Sequence, residues 1–440
     1  MMARTLVALL SIALAACGGG GSSSSVITPP TTDSTCSTSG QVSFVRTTLR
    51  DIYYWYRELP DPNPAGFSSP EAYLEAVRYR PLDSSYSYIT SRASSDAFYS
   101  ESQFIGVGLS YRQTGSTELR VTQVFPGGSA AAAGLARGDY LLAIGGKPVA
   151  ELLQTGEIAT IFGPEQVGVT VAIVWRTLAG ERREATLTKA LVTIPTVSAT
   201  AVFPAGSARV GYIFFRNFVR PSIDALNTAF AELAAQGVTD LVLDLRYNGG
   251  GLVDVAQHLV SLIGGEFTQG QIFIQLTHND KNTARNSTTR FLTVAGALGL
   301  PRLVVIQTGA SASASETVVN GLRPFMPVTT VGDRSYGKPV GQYGFNFCDK
   351  VLFPVSFLVA NALGEADYFN GIPADCSAAD DLDRAIANPN EASLAEALYV
   401  MSNGRCSARA AAEAEIHADR RAALTEGLPR DGWRQMLNAW

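Results

Sequence analysis

Apolar positions change their period along this chain, and the changes divide it. Phe44, Leu49, Ile52, Tyr53 and Trp55, then Tyr73, Leu74 and Val77, recur at helical spacing. A proline-bearing break over 60–70 separates the two groups, so residues 41–100 are predicted to form a small helical unit. Over 101–191 the helical period is lost. Short β-like runs at 119–121, 140–144 and 169–175 alternate there with Gly and Pro turns. From 192 the pattern becomes strand at 210–215, helix at 222–236 and strand at 241–245. A further buried strand is expected at 303–306, followed by a helix over 316–322. That alternation predicts an α/β core with largely parallel pairing over 192–378. Residues 379–440, rich in Ala and charge with helical spacing, read as a helical tail packed on the core. The fold class is therefore α/β and multidomain.

Composition sharpens this picture. Apolar residues make up 46% of the 440 and charged residues 17%, enough for several buried cores. A formal net charge of −5 offers no basic field to nucleic acid, which argues against such a partner. At the N-terminus Arg4 precedes a short apolar stretch over 5–16, too short to span a bilayer as a helix. It ends in Leu14-Ala15-Ala16-Cys17, which resembles a bacterial lipobox. The resemblance implies removal of 1–16 as a signal peptide, lipidation of Cys17, and a membrane partner through that anchor. The Gly/Ser/Thr/Pro-rich linker over 17–40 then acts as a tether. The expected location is the bacterial cell envelope facing the periplasm, with Gly18 after the cysteine favouring the outer membrane. Cys36, Cys348, Cys376 and Cys406 remain, an even number that predicts two disulfides in an exported chain. Of three pairings we expect Cys348–Cys376 with Cys36–Cys406. No C-x-x-C or histidine cluster accompanies them to suggest a metal.

Candidate chemistry concentrates in three places. Gly309-Ala310-Ser311-Ala312-Ser313-Ala314-Ser315-Glu316 follows the predicted strand at 303–306, so a hydroxyl there sits at a strand-to-helix turn. Backbone N–H groups are free at such a turn to stabilise an oxyanion. Gly337-Lys338 places a lysine in a glycine turn, and Asp244-Leu245-Arg246-Tyr247-Asn248-Gly249-Gly250-Gly251 follows another strand. Histidine is scarce (His258, His278 and His417) and no G-x-S-x-G elbow occurs, so lysine is the better candidate to activate a serine. A lysine base must be neutral and therefore desolvated, a role Phe345, Phe347, Val351 and Phe353 could fill. Alternation alone does not choose among Ser311, Ser313 and Ser315. Asp244 and Arg246 read as a structural pair.

Two family resemblances follow from these residues. Gly106-Val107-Gly108-Leu109, Pro126-Gly127-Gly128-Ser129-Ala130 through Ala133-Gly134-Leu135, and 138–149 resemble a PDZ domain over 101–191. That likeness implies that a peptide C-terminus adds to an exposed strand, its carboxylate held by Gly106, Val107, Gly108 and Leu109. The segments 244–251, 311–316 and 337–338, in that order, resemble the carboxyl-terminal processing peptidases of family S41. The resemblance implies an S41 core of crotonase/ClpP-like type with Ser313 as nucleophile. Lys338, twenty-five positions later, would be the base and Gln342 would orient its amine. Ala314 with Gly250, and Gly251 close behind, would form the oxyanion hole. No cofactor or metal is implied. Gly249 stands where proline is common and Pro339 where glycine is common, which bears on cleft shape. The expected function is a Ser–Lys serine endopeptidase whose PDZ domain selects protein substrates by their C-termini. The alternative is a non-catalytic PDZ scaffold in the envelope on an inactive protease fold. Self-association is left open.

Overall fold

The computed structural model describes residues 36–408 and 410. The expected signal peptide, the Cys17 lipidation site and half of the tail lie outside the described residues.

The central sheet orders its six strands as Val197–Ala205, Ala208–Phe215, Asp240–Asp244, Leu303–Gln307, Val328–Gly332 and Cys376–Ser377. The first pair is antiparallel and every later pair is parallel. Successive side chains in a strand face opposite ways, and the sequence exploits this on both faces. Leu241, Leu243, Leu303 and Val305 join one core beneath the helices Ser222–Ala235, Val253–Gly264 and Ala314–Leu322. Val242, Val304 and Ile306 point the other way, into a core closed by the helix Ala392–Asn403. The predicted tail thus supplies one packed helix within its described part. A second, four-stranded sheet orders Ser287–Arg290, Ile272–His278, Val355–Asn361 and Val340–Gln342.

The β-rich segment is the expected small unit. Strands Leu109–Gly115, Glu118–Val124, Tyr140–Ile144, Thr170–Arg176 and Arg182–Thr188 form one antiparallel sheet around Leu119, Ile144, Ile173 and Trp175. The antiparallel pair Gln103–Gly106 and Ala190–Thr193 closes its base.

The N-terminal segment is less independent than its helical spacing suggests. Thr38–Ile52, capped by Ser37 accepting from the Gly40 N–H at 3.2 Å, buries Val42, Phe44, Val45, Leu49 and Ile52. Those residues share one core with Phe345, Phe347, Leu352 and Val355 from the far end of the chain. Strand Tyr88–Ser91 also pairs with Lys350–Phe353, so the unit is completed by the α/β core.

The disulfides differ from the expected pairing: they join Cys36 to Cys348 and Cys376 to Cys406. The reason is this shared core. Cys348 turns between Phe345–Phe347 and Lys350–Phe353 against the N-terminal helix, whereas Cys376 lies on the edge strand beside the C-terminal helix. The two loops span 312 and 30 residues. Loop-closure entropy then predicts that Cys36→Ser/Cys348→Ser destabilises by roughly 2 kcal/mol more than Cys376→Ser/Cys406→Ser. Equilibrium denaturation of the two double variants reads this directly, and the reverse ranking would refute it.

Candidate active site

Three loops leave the carboxyl ends of the adjacent parallel strands Asp240–Asp244, Leu303–Gln307 and Val328–Gly332, where ligand crevices form in open α/β sheets. They carry Asn248–Gly251, Ser311–Ser315 and Lys338. Ser313, Lys338, Gln342, Gly251 and Ala314 line one cavity of about 280 Å³. Apolar groups make up much of the remaining wall, among them Leu252, Phe353 and Phe357.

The loops separate the three serines. Ser311 Oγ donates to the Leu245 carbonyl at 2.8 Å, and Ser315 Oγ donates to the Asn248 carbonyl at 2.7 Å. Both hydroxyls are buried and committed to holding the neighbouring loop. Ser313 alone of the three faces the cavity. It stands at the N-cap of Ala314–Leu322 with φ 55°, a strained conformation for a residue with a side chain.

Gly250 is required by close approach. With φ 99°, it lies so near the serine turn that a Cβ would fall 2.8 Å from the Ala312 carbonyl oxygen and 2.9 Å from Ala314 N. Its N–H donates to Asn248 Oδ1 at 2.9 Å. Gly250, expected as an oxyanion donor, lets the loops meet here, and its amide is engaged within its own loop. No hydrogen bond among the described residues takes the N–H of Gly251 or Ala314, and both residues line the cavity.

Lys338 is buried, and Nζ donates to Gln342 Oε1 at 2.5 Å. The Gln342 amide is fixed in turn, because Nε2 donates to the carbonyls of Tyr86 and Phe353, each at 2.6 Å. Burial pushes the lysine pKa down to about 8, although the charges of Asp83 and Glu316 pull it upward. The source of that burial differs in part from expectation. Of Phe345, Phe347, Val351 and Phe353, only Phe353 lines the cavity, while Phe345 and Phe347 pack beneath the N-terminal helix. The Tyr86 ring lies 5.8 Å from Nζ. Among the described residues the amine makes no hydrogen bond to Ser313 Oγ, although both residues line the cavity.

Glu316 joins the serine and lysine turns. Its Oε2 accepts from the N–H of Ser313 at 2.9 Å and of Lys338 at 2.8 Å. Its Oε1 accepts from the Gly337 N–H at 2.6 Å and from Ser335 Oγ at 2.5 Å. Burial raises its pKa, while these four donors favour the anion.

The N-terminal unit braces the same turn. Asp83, fully buried, accepts from Tyr53 Oη at 2.9 Å, the Tyr86 N–H at 2.8 Å and Ser87 Oγ at 2.6 Å. Tyr86 Oη donates to the Gly337 carbonyl, and Ser85 Oγ meets Tyr336 Oη at 2.8 Å.

The sequence motifs contain Glu316 without marking its task, and they leave Asp83 and Tyr86 unmarked. A glutamate three residues after an N-cap serine is the capping-box spacing and could have marked Glu316. For Asp83 and Tyr86 the polar, aromatic run Asp83-Ser84-Ser85-Tyr86-Ser87-Tyr88 was the one available signal. Asp244 and Arg246 are both buried and paired at 2.6 Å, as expected of a structural pair.

In the β-rich unit, Gly106 ends one strand and Leu109 opens the next. The Val107 and Gly108 carbonyls accept from the Ala130 and Phe125 N–H groups at 2.9 and 2.8 Å. Strand Leu109–Gly115 is an edge strand of its sheet, a geometry open to strand addition. Among the described residues one group is spaced for a metal, Cys376, Glu396 and Cys406, but both sulfurs are joined in the disulfide.

Comparison with known proteins agrees with this architecture. Peptidase family S41 matches residues 209–370, the peptidase S41 N-terminal domain matches 40–88, and a PDZ domain matches 120–173. A carboxyl-terminal-processing protease of Synechocystis is 31% identical over 248 residues, covering 56% of this chain and 55% of its own. A chloroplastic C-terminal processing peptidase of Tetradesmus obliquus is 30% identical over 254 residues, covering 54% and 52%. The chain thus spans about half the length of the curated relatives it matches. A Bacteroides fragilis crystal structure described as an S41 protease superposes with a TM-score of 0.65 at 25% identity, over 82% of this chain and 97% of its own. Residues 209–370 are therefore similar to peptidase family S41, 40–88 to that family's N-terminal domain and 120–173 to a PDZ domain, and the chain is similar in sequence to proteins named as C-terminal processing peptidases.

Proposed function

We propose that the protein is a serine endopeptidase that cleaves proteins and peptides selected by their C-termini, with Ser313 as nucleophile and Lys338 as base. The observation that carries this reading is the shared cavity. It holds the one serine of three whose hydroxyl does not donate to a neighbouring loop, together with a buried lysine whose pKa lies near 8. Neutral Lys338 Nζ takes the proton of Ser313 Oγ as the oxygen attacks a substrate carbonyl carbon. This step requires the amine to swing from Gln342 toward Ser313, a contact that tightens with substrate bound. The N–H groups of Gly251 and Ala314 receive the developing oxyanion. Lys338 then gives its proton to the departing amine; Lys338 Nζ next takes a proton from water as the water oxygen attacks the acyl carbon, and Ser313 Oγ leaves carrying that proton.

The PDZ domain holds the substrate C-terminus, with its chain added along Leu109–Gly115 and its carboxylate at 106–109. Lipidation at Cys17 tethers the enzyme to the envelope on its periplasmic side. A peptide with a free C-terminal carboxylate should show a KM roughly tenfold below that of its amidated twin, at similar kcat. Equal constants for both would remove the tail-recognition part. Ser313→Ala serves as the blank in the same assay, and hydrolysis surviving in that variant would overturn the nucleophile assignment.

A further inference from the structure

One histidine holds a wall of the cavity from behind. In the four-stranded sheet, His278, Phe357 and Gly341 are direct neighbours on three adjacent strands, so they share one row of a single face. Gly341 leaves its place in that row empty and Phe357 takes it, since a Cβ on Gly341 would collide with the phenyl ring. Tyr343, two residues on, covers the row. Its ring lies 5.0 Å from that of Phe357 and stacks on His278 at 5.7 Å, with the two planes 8° apart. Phe357 and Tyr343 both line the cavity shared by Ser313 and Lys338, whereas His278 is buried behind them.

The hydrogen bonds of the imidazole decide how Tyr343 is turned. The His278 backbone N–H donates to Asn286 Oδ1 at 2.8 Å, which makes that oxygen an acceptor for Nδ1–H at 3.3 Å. Nε2 is then left with its lone pair, and Tyr343 Oη donates to it at 2.9 Å. Burial lowers the imidazole pKa, against the pull of the Asn286 contact and with help from the charge of Arg285. The neutral ring, which can accept, is therefore the favoured form near neutral pH. The phenol is drawn toward His278, and Tyr343 leaves its ring in the cavity wall. Val340, Phe357, Val359 and Ala256 extend that wall with apolar side chains, a surface that rewards an apolar group.

We propose that His278 is a positioning residue for substrate selection: by accepting the Tyr343 phenol it keeps the hydroxyl out of the cavity and the ring in its wall, against which an aliphatic substrate side chain packs. The side chain concerned belongs to the residue whose carbonyl Ser313 attacks, because that residue sits nearest the serine. This rests on the hydrolase reading above.

The test uses the full chain and two short internally quenched peptides, alike except for leucine or glycine at that residue. Wild-type protein should prefer leucine at least about tenfold in kcat/KM. His278→Leu, which leaves the phenol without an acceptor, should cut that preference roughly tenfold, with the glycine peptide changed less than about twofold. His278→Gln offers an acceptor near the same place and should keep most of the preference. In Tyr343→Phe, which has no phenol to hold, adding His278→Leu should change nothing further. A general loss of folded protein lowers both peptides together and leaves their ratio unmoved. The chain has three histidines, so ¹⁵N-histidine NMR can follow His278 whether or not peptides are cut. Its Nε2 signal should move in Tyr343→Phe. That shift, with neither peptide cleaved by wild-type protein, would sink the hydrolase reading and the selection role with it, while the contact stands. An unmoved Nε2 signal, an equal loss on both peptides, or the same loss persisting in Tyr343→Phe overturns the inference.

Discussion

Replacing Lys338 with methionine is expected to lower kcat by roughly 10⁴-fold or more while thermal unfolding moves little. Methionine occupies a similar volume and carries no charge. Burial already disfavours the ammonium form, which is why the pKa falls to about 8, so the substitution removes a desolvation penalty together with one hydrogen bond to Gln342. Turnover and stability therefore separate in this variant. The pH dependence follows with a definite sign. With Lys338 as the proposed base, the active form is the neutral amine, whose fraction rises with pH, so kcat/KM should climb about tenfold per pH unit below 8 and level off above it. A profile flat from about pH 6 to 9, or a methionine variant with near-normal turnover, would leave the lysine without its assigned role.

Glu316→Gln should lower turnover less, on the order of 10²-fold, but, unlike the lysine change, should also destabilise the fold. The carboxylate accepts four hydrogen bonds, from Ser313, Ser335, Gly337 and Lys338, three of them from backbone N–H groups that cannot turn away. An isosteric amide must present its NH₂ to at least one of those N–H donors. Each buried donor left unsatisfied costs about 1–3 kcal/mol. The turns bearing Ser313 and Lys338 would also lose their common anchor, and a shift of about 1 Å between reacting groups costs on the order of 10²-fold in rate. Calorimetry and steady-state kinetics on one preparation test both halves. Wild-type melting together with wild-type kcat would show that the two turns hold their positions without the carboxylate.

Much of the α/β core was legible because its strands are short apolar runs bounded by helices. The strands Leu303–Gln307 and Asp240–Asp244 and the helix Ser222–Ala235 fall close to where periodicity puts them. The candidate site was legible as motif order, with Ser313, Lys338 and Gln342 brought to one cavity. Local sequence could not separate Ser311 and Ser315 from Ser313, because what distinguishes them is an acceptor some 66 residues away in the chain. The same limit hid the roles of Gly250 and Asn248, since a glycine run does not reveal which amide is already occupied. Helical spacing over 41–100 described the N-terminal unit's own helices but not their partners, which arrive 250 or more residues later. The disulfide pairing followed those partners, so the expected pairing failed for the same reason.

That late arrival also governs how the polypeptide can be born. Until ribosomal synthesis has passed the hairpin around residue 350, the apolar side of the first helix has only part of its cover, from Tyr73, Leu74 and Val77, and Cys36 lacks its mate. A nascent chain must therefore keep its leading segment unaggregated, and its thiol uncommitted, while nearly everything else is made. Fragments that stop short of this hairpin will be poor folders however neatly they are trimmed.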